Sequence, residues 1–286
     1  MKNEPQHVDI FEVGPRDGLQ NEANPIAVAD KIALVDLLST AGFSRIECAS
    51  FVSPKWVPQM AGSDAVLTGI TRHANVRYAA LTPNQRGLSD ALAAKADEVA
   101  IFGSASEGFS RANINASISQ SLDRFAPVVE GALAAGISVR GYVSCVITCP
   151  YDGPVAPTQV AKIAKALKDM GCYEISLGDT IGQGTPETIR AMLDAVLADI
   201  PAAQIAGHYH DTNGRALDNI EASLDLGLRV FDAAVGGLGG CPYASGAAGN
   251  VATERVAQRL ADLGYTHGLD MGVLARAADL AKGMRT

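Results

Sequence analysis

HVDIFEVGPRDGLQNE, residues 7–22, opens on an apolar run and breaks at Gly14-Pro15 into a polar turn. The run His7 to Val13 reads as a strand, and Arg16, Asp17 and Gln20 fall on the turn that leaves it. A cation beside a metal-competent carboxylate at the C-terminal end of a strand has the character of a reactive site. Three later segments share it: SLGDT at 176–180, HYHDTNG at 208–214 and GGLGGCPYASGAAGN at 236–250. Each follows a short apolar run. In the second of these segments the histidines alternate with one residue between them. Side chains on a strand alternate with period two, so His208 and His210 share a face and can chelate one ion.

Working outward from the first strand, further strand candidates are Arg45 to Ala49, Val76 to Leu81, Glu98 to Phe102, Ser138 to Val143, Tyr173 to Leu177, Gln204 to His208 and Val230 to Val235, which makes eight. Helical segments lie between them. Asn24 is expected to cap, and Pro25 to start, a helix running to Thr40, with Gly42 just beyond. Thr185-Pro186-Glu187 opens another, in which Ile189, Met192, Leu193, Val196 and Leu197 form one apolar face. Val160, Ile163, Leu167 and Met170 do the same ahead of Gly171. Eight strands alternating with helices, without a linker or a shift of composition, predict an α/β fold, a closed (β/α)8 TIM barrel spanning residues 1–286 as a single domain. A doubly wound open sheet is the competing architecture. The polar motifs favour the barrel. Arg16 and Asp17 follow strand 1, Glu47 lies in strand 2, Asp179 follows strand 6, and His208 and His210 end strand 7. All of them fall at the C-terminal ends of strands, where barrel enzymes build their sites.

Composition narrows the partners. The 286 residues are 48% apolar, yet no apolar run approaches the ~18 residues a membrane span needs. A net charge of −8 and a pI near 5.1 leave no broad basic field for nucleic acid or an anionic membrane. The start, MKNEPQHVD, has no apolar signal core, and a cytoplasmic setting is expected. The five cysteines are an odd number and predict no disulfide framework; Cys48, Cys145 and Cys172 sit in apolar settings and read as core residues. Cys145 and Cys149 have no partner pair at zinc spacing.

Each reactive candidate has a plainer reading beside it. Asp17 or Asp179 alone fits a loop carboxylate capping a helix. Two carboxylates and two histidines at one rim favour a metal site. Asn250 directly precedes an amphipathic segment, so N-cap and ligand weigh equally on the residues alone. The glycine-rich stretch lacks the Lys-Ser/Thr ending of a phosphate loop and is expected to be a lid over residues 236–250 carrying Cys241. Oxygen and nitrogen donors without thiolate suit Mg²⁺ or Mn²⁺.

In its four motifs, from Glu12 to Asn250, the chain resembles the 3-hydroxy-3-methylglutaryl-CoA lyases of the DRE-TIM metallolyase group. The resemblance implies metal-dependent retro-Claisen cleavage of 3-hydroxy-3-methylglutaryl-CoA to acetyl-CoA and acetoacetate, as in leucine degradation and ketone-body metabolism. It implies Asp17, His208, His210 and Asn250 as metal ligands, with Asp179 and Glu47 completing the shell. Arg16 would stabilise the developing enolate, His208 would accept the hydroxyl proton, with Asp179 as its candidate helper, and Cys241 would protonate the enolate carbon. ASFVSPKWVPQM (49–60) and ASEGFSRANINASI (105–118) match segments around the acyl-CoA entrance, which makes Lys55, Arg111 and Asn113, with Arg16 and Gln20, the expected substrate contacts. The expected assembly is a homodimer. Two departures stand out: Asn213 replaces an aromatic expected in animal lyases, and no cysteine follows Cys241. A condensing synthase of the isopropylmalate or homocitrate type would need a long C-terminal region, whereas about 36 residues follow Asn250, expected to be a short helical tail. A catalytically silent metal-binding barrel would have lost Arg16, His208 and Cys241. None of the eight strands carries the lysine of a Schiff-base aldolase.

Overall fold

Eight parallel strands close on themselves in the order β1-β8-β7-β6-β5-β4-β3-β2. They are β1 (Asp9–Glu12), β2 (Arg45–Ser50), β3 (Arg77–Leu81), β4 (Glu98–Ser104), β5 (Ser138–Ser144), β6 (Glu174–Asp179), β7 (Ile205–Tyr209) and β8 (Val230–Ala233). The structure is a computed structural model and describes residues 6–239 and 248–285. The closed sheet answers the choice left open by the sequence, and each expected strand is present within a few residues of its expected ends. Asp179 is the last residue of β6 rather than the first of its loop.

Period two sorts every strand into two faces. The outward set, including Ile46, Val99, Ile101, Val139, Ile175, Leu177 and Phe231, joins the inward faces of the surrounding helices in one apolar cluster. Cys48 and Cys172 belong to that layer, and Cys145 packs with Cys149 and Phe109 in a smaller one, so the three cysteines expected to be core are buried. The inward set is different in kind. Asp9, Arg45, Glu98, Arg140, Glu174 and Asp232 project into the lumen and pair there: Arg45 with Asp9 (2.9 Å) and Glu174 (3.0 Å), Arg140 with Glu174 (2.6 Å) and Asp232 (2.7 Å). Phe11 lies flat between, 4.8 Å from the Arg45 guanidinium and 4.5 Å from that of Arg140.

The α-helices of the described residues, numbered in chain order, are α1 (Val28–Ser39), α2 (Ser63–Gly69), α3 (Gln85–Ala93), α4 (Glu107–Ile114), α5 (Ile118–Ala134), α6 (Pro157–Met170), α7 (Pro186–Leu197), α8 (Ala216–Asp225), α9 (Thr253–Asp262) and α10 (Met271–Gly283), and those read from the sequence follow their signals with two exceptions. Thr185 caps α7 (Pro186–Leu197), accepting from Thr188 N, and Ile189, Met192, Leu193 and Val196 are buried as expected. Helix α6 (Pro157–Met170) ends at Gly171, with Val160, Ile163 and Leu167 inward. The first helix, α1, runs from Val28 to Ser39, so it starts after, and not at, Asn24-Pro25. The reason is Gln59: its amide accepts from Ile26 N and donates to the carbonyls of Glu22 and Asn24, which ties residues 22–26 to the β2 loop. The second exception is the C-terminus. It is not one helix and a tail but two helices, α9 (Thr253–Asp262) and α10 (Met271–Gly283). Val273, Leu274, Ala277 and Ala281 of α10 are buried, and the helix packs on α1 and on the turn after β8.

Gly42, beyond the end of α1, has φ of +99°, and a Cβ there would stand 2.4 Å from the carbonyl oxygen of Gly268. Gly42→Ala is therefore strained in backbone and in space and should cost at least ~1–3 kcal/mol in urea unfolding; an unchanged midpoint would refute the packing described for this corner.

Candidate active site

The turn after β1 is a single wide helical turn, Gly14–Gly18, in which the Val13 carbonyl accepts from the amides of Arg16, Asp17 and Gly18. Gly18 is required for closeness: a Cβ on it would lie 2.6 Å from the Leu238 Cβ on the segment that follows β8. This contact sets the Arg16-Asp17 pair against the loop of the neighbouring strand, β8, at the barrel mouth. A buried glutamate pins the same corner. Glu12, facing outward from β1, accepts from Gly14 N (2.8 Å), Val235 N (2.9 Å) and Thr253 Oγ1 (2.6 Å). Burial pushes its carboxyl up to about 7 against the pull of those three donors.

At the rim, Asp17, His208 and His210 present one ligand atom each, all within 4.8 Å of one another. Asp17 Oδ1 accepts from Arg16 Nη1 at 2.6 Å, and its Oδ2 accepts from Asn250 Nδ2 at 2.9 Å and lies 3.9 Å from His208 Nε2. Burial raises the Asp17 carboxyl, but Arg16 and the two imidazoles outweigh it and hold it at about 2. His210 is driven the other way. Burial and the neighbouring His208 lower it to about 4, so it is neutral, and its Nδ1 is buried without a hydrogen-bond partner. His208 Nδ1 lies 3.1 Å from Asp232 Oδ2; burial lowers this histidine, yet Asp232 and Asp17 carry it above its ordinary value. An orphaned imidazole nitrogen, an ionised carboxylate and a second imidazole converging on one point fit a divalent cation.

Asn250 reaches the same place. It bridges to His210 across a short antiparallel contact, while Ala252, not Asn250, is the N-cap of α9. The N-cap reading is thus overturned. Its Nδ2 faces Asp17 and the Leu238 carbonyl (3.3 Å), and turning the amide over would offer Oδ1 at the same point.

Arg16 is buried and spans two carboxylates. Its Nε and Nη2 bind Glu47 Oε2 at 2.6 and 2.5 Å, and its guanidinium lies 5.5 Å from the Tyr142 ring centre. Tyr142 OH donates to the same Glu47 oxygen at 3.1 Å. Glu47 therefore orients Arg16 and is not among the three clustered donors. Asp179 is absent from that cluster as well. Glu174 and Ser176 face the lumen, so Asp179, at odd spacing from them on β6, faces the helices, where Gln183 N (3.2 Å) and Gly184 N (2.7 Å) donate to it. Nor does Asp179 cap the helix, as its plainer reading had it: Thr185 caps α7, and Asp179 fastens the turn ahead of it. The two roles expected of His208 also compete, because one nitrogen is committed to Asp232 and only Nε2 faces the site.

A cavity of about 630 Å³ opens from these residues to the surface. Gln20 and Asn113 line it, as do three side chains that sequence reasoning passed over: Trp56, Arg124 and Tyr142. Trp56 is 87% exposed at the mouth, a large apolar surface left to solvent. Lys55 and Arg111 are exposed and do not line it; Arg111 lies 3.7 Å from Glu107. Asn213 donates to the Gly182 carbonyl at 2.8 Å. Cys241 and the middle of the glycine-rich segment expected to be a lid, residues 240–247, lie outside the described residues. The flanks stand at the rim, with Gly239 N donating to Glu22 (3.2 Å) and the Ala248 carbonyl accepting from Thr212 (2.8 Å).

With this geometry in hand, comparison with known proteins is specific. The family model described as HMGL-like matches residues 7–281. A 3-hydroxy-3-isohexenylglutaryl-CoA/hydroxy-methylglutaryl-CoA lyase of Pseudomonas aeruginosa is 58% identical over 275 residues, covering 96% of this chain and 92% of that one. The crystal structure of the HMG-CoA lyase from Brucella melitensis superposes with a TM-score of 0.97 at 57% identity, covering 98% of this chain and 99% of that one. An HMG-CoA lyase from Acinetobacter baumannii, solved in complex with coenzyme A and 3-methylmalate, gives 0.92 at 36% identity, covering 98% and 91%.

The His210 environment yields a pH test on the ion-free protein. Below about 6.5 the unfolded chain binds a proton that the folded chain refuses until about 4, so this residue's contribution to stability falls as pH drops through that window. The loss should be on the order of 3 kcal/mol. His208, raised instead of lowered, acts in the opposite sense and above this window. Urea unfolding in chelator at several pH values should show a shallower acid limb for His210→Gln than for the parent; parallel limbs would contradict the buried neutral imidazole.

Proposed function

Given that the chain belongs to the HMGL-like family, we propose that the rim cluster is the reaction centre of a metal-dependent carbon–carbon lyase acting on 3-hydroxy-3-methylglutaryl-CoA or a close 3-hydroxyacyl-CoA. The chain is a lyase of the hydroxymethylglutaryl-CoA type, releasing acetyl-CoA and acetoacetate. The observation that carries the site reading is the meeting of Asp17, His208 and His210 within 4.8 Å, with the Arg16 guanidinium 2.6 Å from Asp17.

Asp17, His208 and His210, with Asn250, would hold the cation, and Mg²⁺ or Mn²⁺ suits these donors best. When bound it supplies Lewis acidity that makes the C3 hydroxyl easier to deprotonate. The remaining work belongs to side chains. The C3 hydroxyl gives up its proton to solvent in the cavity, which opens to the surface, and its electron pair forms the acetoacetate carbonyl as the C2–C3 bond breaks; the electron pair of that bond is left on C2, with negative charge on the thioester oxygen. Arg16 commits its Nε–H and one hydrogen from each terminal nitrogen to Glu47 and Asp17, which leaves two N–H groups for that oxygen. Being buried and clamped, they need little reorganisation. Cys241, two residues past Gly239 in the sequence, is the proposed proton donor to C2. Gln20 and Asn113 are the proposed contacts to the acyl-CoA among the described cavity residues. Lys55 and Arg111 keep only a peripheral electrostatic part in this reading. Among the described residues no helix is long and apolar enough to cross a membrane. A single catalytic domain, a cytoplasmic setting and a homodimer complete the proposal.

A coupled assay of acetyl-CoA and acetoacetate release tests it. Activity should vanish in chelator and return with Mg²⁺ or Mn²⁺; full turnover by stripped enzyme would remove the metal. Asp17→Asn should weaken cation binding, whereas Arg16→Gln should leave it nearly intact and lower kcat by ~10²-fold or more. Cys241→Ala should lower kcat by ~10²- to 10⁴-fold with little change in KM; near-normal turnover would end its assignment as the acid.

A further inference from the structure

We infer that Asp232, backed by Arg140, fixes which nitrogen of His208 carries the proton, and so makes His208 a cation ligand through Nε2 and removes it as the acceptor of the substrate proton. The inference rests on the proposed cation site.

Asp232 lies in the lumen, fully enclosed, one layer below the rim. Its Oδ1 accepts from Arg140 Nη2 at 2.7 Å. Its Oδ2 accepts from Arg140 Nη1 at 3.0 Å and Ser176 Oγ at 2.8 Å, and faces His208 Nδ1 at 3.1 Å. A carboxylate gripped on both oxygens by a guanidinium stays an acceptor. Nδ1 must then carry the hydrogen. The opposite tautomer would set two lone pairs against each other at 3.1 Å in a dry interior, and would aim an N–H at the point where Asp17 and His210 converge.

With Nδ1–H committed, the neutral ring keeps one lone pair, on Nε2, facing Asp17 at 3.9 Å. A cation in the cluster takes that pair. Nothing is left on the imidazole to receive a proton while the ion is bound. Arg140 is itself held from behind by Glu174 at 2.6 Å, so the orientation of His208 is relayed from the middle of the barrel. Asp232 is thus a positioning residue, in the manner of the carboxylates that stand behind metal-binding histidines generally.

The test uses the whole protein, histidine-labelled with ¹⁵N and freed of metal, at an alkaline pH at which the ring nitrogen shifts of His208 no longer change with pH. Long-range proton–nitrogen correlation, with His208 assigned by its loss in His208→Gln, should show a protonated Nδ1 and a bare Nε2. In Asp232→Asn the ring should turn to the other tautomer or a mixture, and Mn²⁺ affinity by titration calorimetry should fall ~10- to 100-fold. Ser176→Ala, which removes one donor from the same oxygen, should keep the parent tautomer. A hydrogen on Nε2 in the parent protein would overturn the inference without any variant. Loss of Mn²⁺ affinity in Asp232→Asn with an unchanged tautomer would overturn it too, because Asp232 would then act only on the fold. Neither readout involves turnover, so failure of the lyase reading, seen as absent acetyl-CoA release, is separable from failure of this one.

Discussion

A charged side chain enclosed in protein must be neutralised by a partner in good geometry, and in this barrel that requirement falls hardest on Arg140. It has no solvent exposure, and Asp232 and Glu174 between them occupy its guanidinium. Removing one carboxylate would leave a buried charge uncompensated, a cost of ~3–5 kcal/mol. Glu174 also binds Arg45, and Arg45 binds Asp9, so five strands are joined through the lumen. The usual barrel interior is layered aliphatic side chains. Here the middle layers are ionic, and their directionality, absent from aliphatic packing, lets them aim the histidine above.

The rim uses that orientation. His208 stands on the ionic column, while His210, two residues on, continues the same face and keeps an orphaned Nδ1. Asp17 arrives from β1, two strands round the barrel from His208, on a turn held by Gly18 and Leu238. The donors of the cluster thus come from the two ends of the chain, and their convergence depends on closure of β1 against β8, where Asp9 to Glu12 pair with Val230 to Ala233.

Carboxylates on the outer face of the strands do a different task. Glu12 and Asp179 sit at strand ends as the reactive residues do, yet they point toward the helices and receive backbone amides. Each fastens a loop. Glu12 ties the Arg16 turn to the start of the glycine-rich segment and to α9, and Asp179 shapes the turn ahead of α7. They position the site's loops without meeting the cavity.

The sequence alone determined the eight strands, several of the helices and the rim motifs, because strand alternation, turn residues and helical spacing are local properties written within a dozen positions. It also put His208 and His210 on one face for the same reason. Applied to β6, that rule would have turned Asp179 away from the cluster. The start of α1 was not legible, since Gln59, over 30 positions away, holds residues 24–26 out of the helix. Trp56 and Arg124 at the mouth, and Asp232 under His208, carried no motif of their own. Only the tertiary structure decided their roles, because Arg140 and Asp232 are 92 positions apart and the pairing of a buried charge is settled by which strands face one another across a closed lumen.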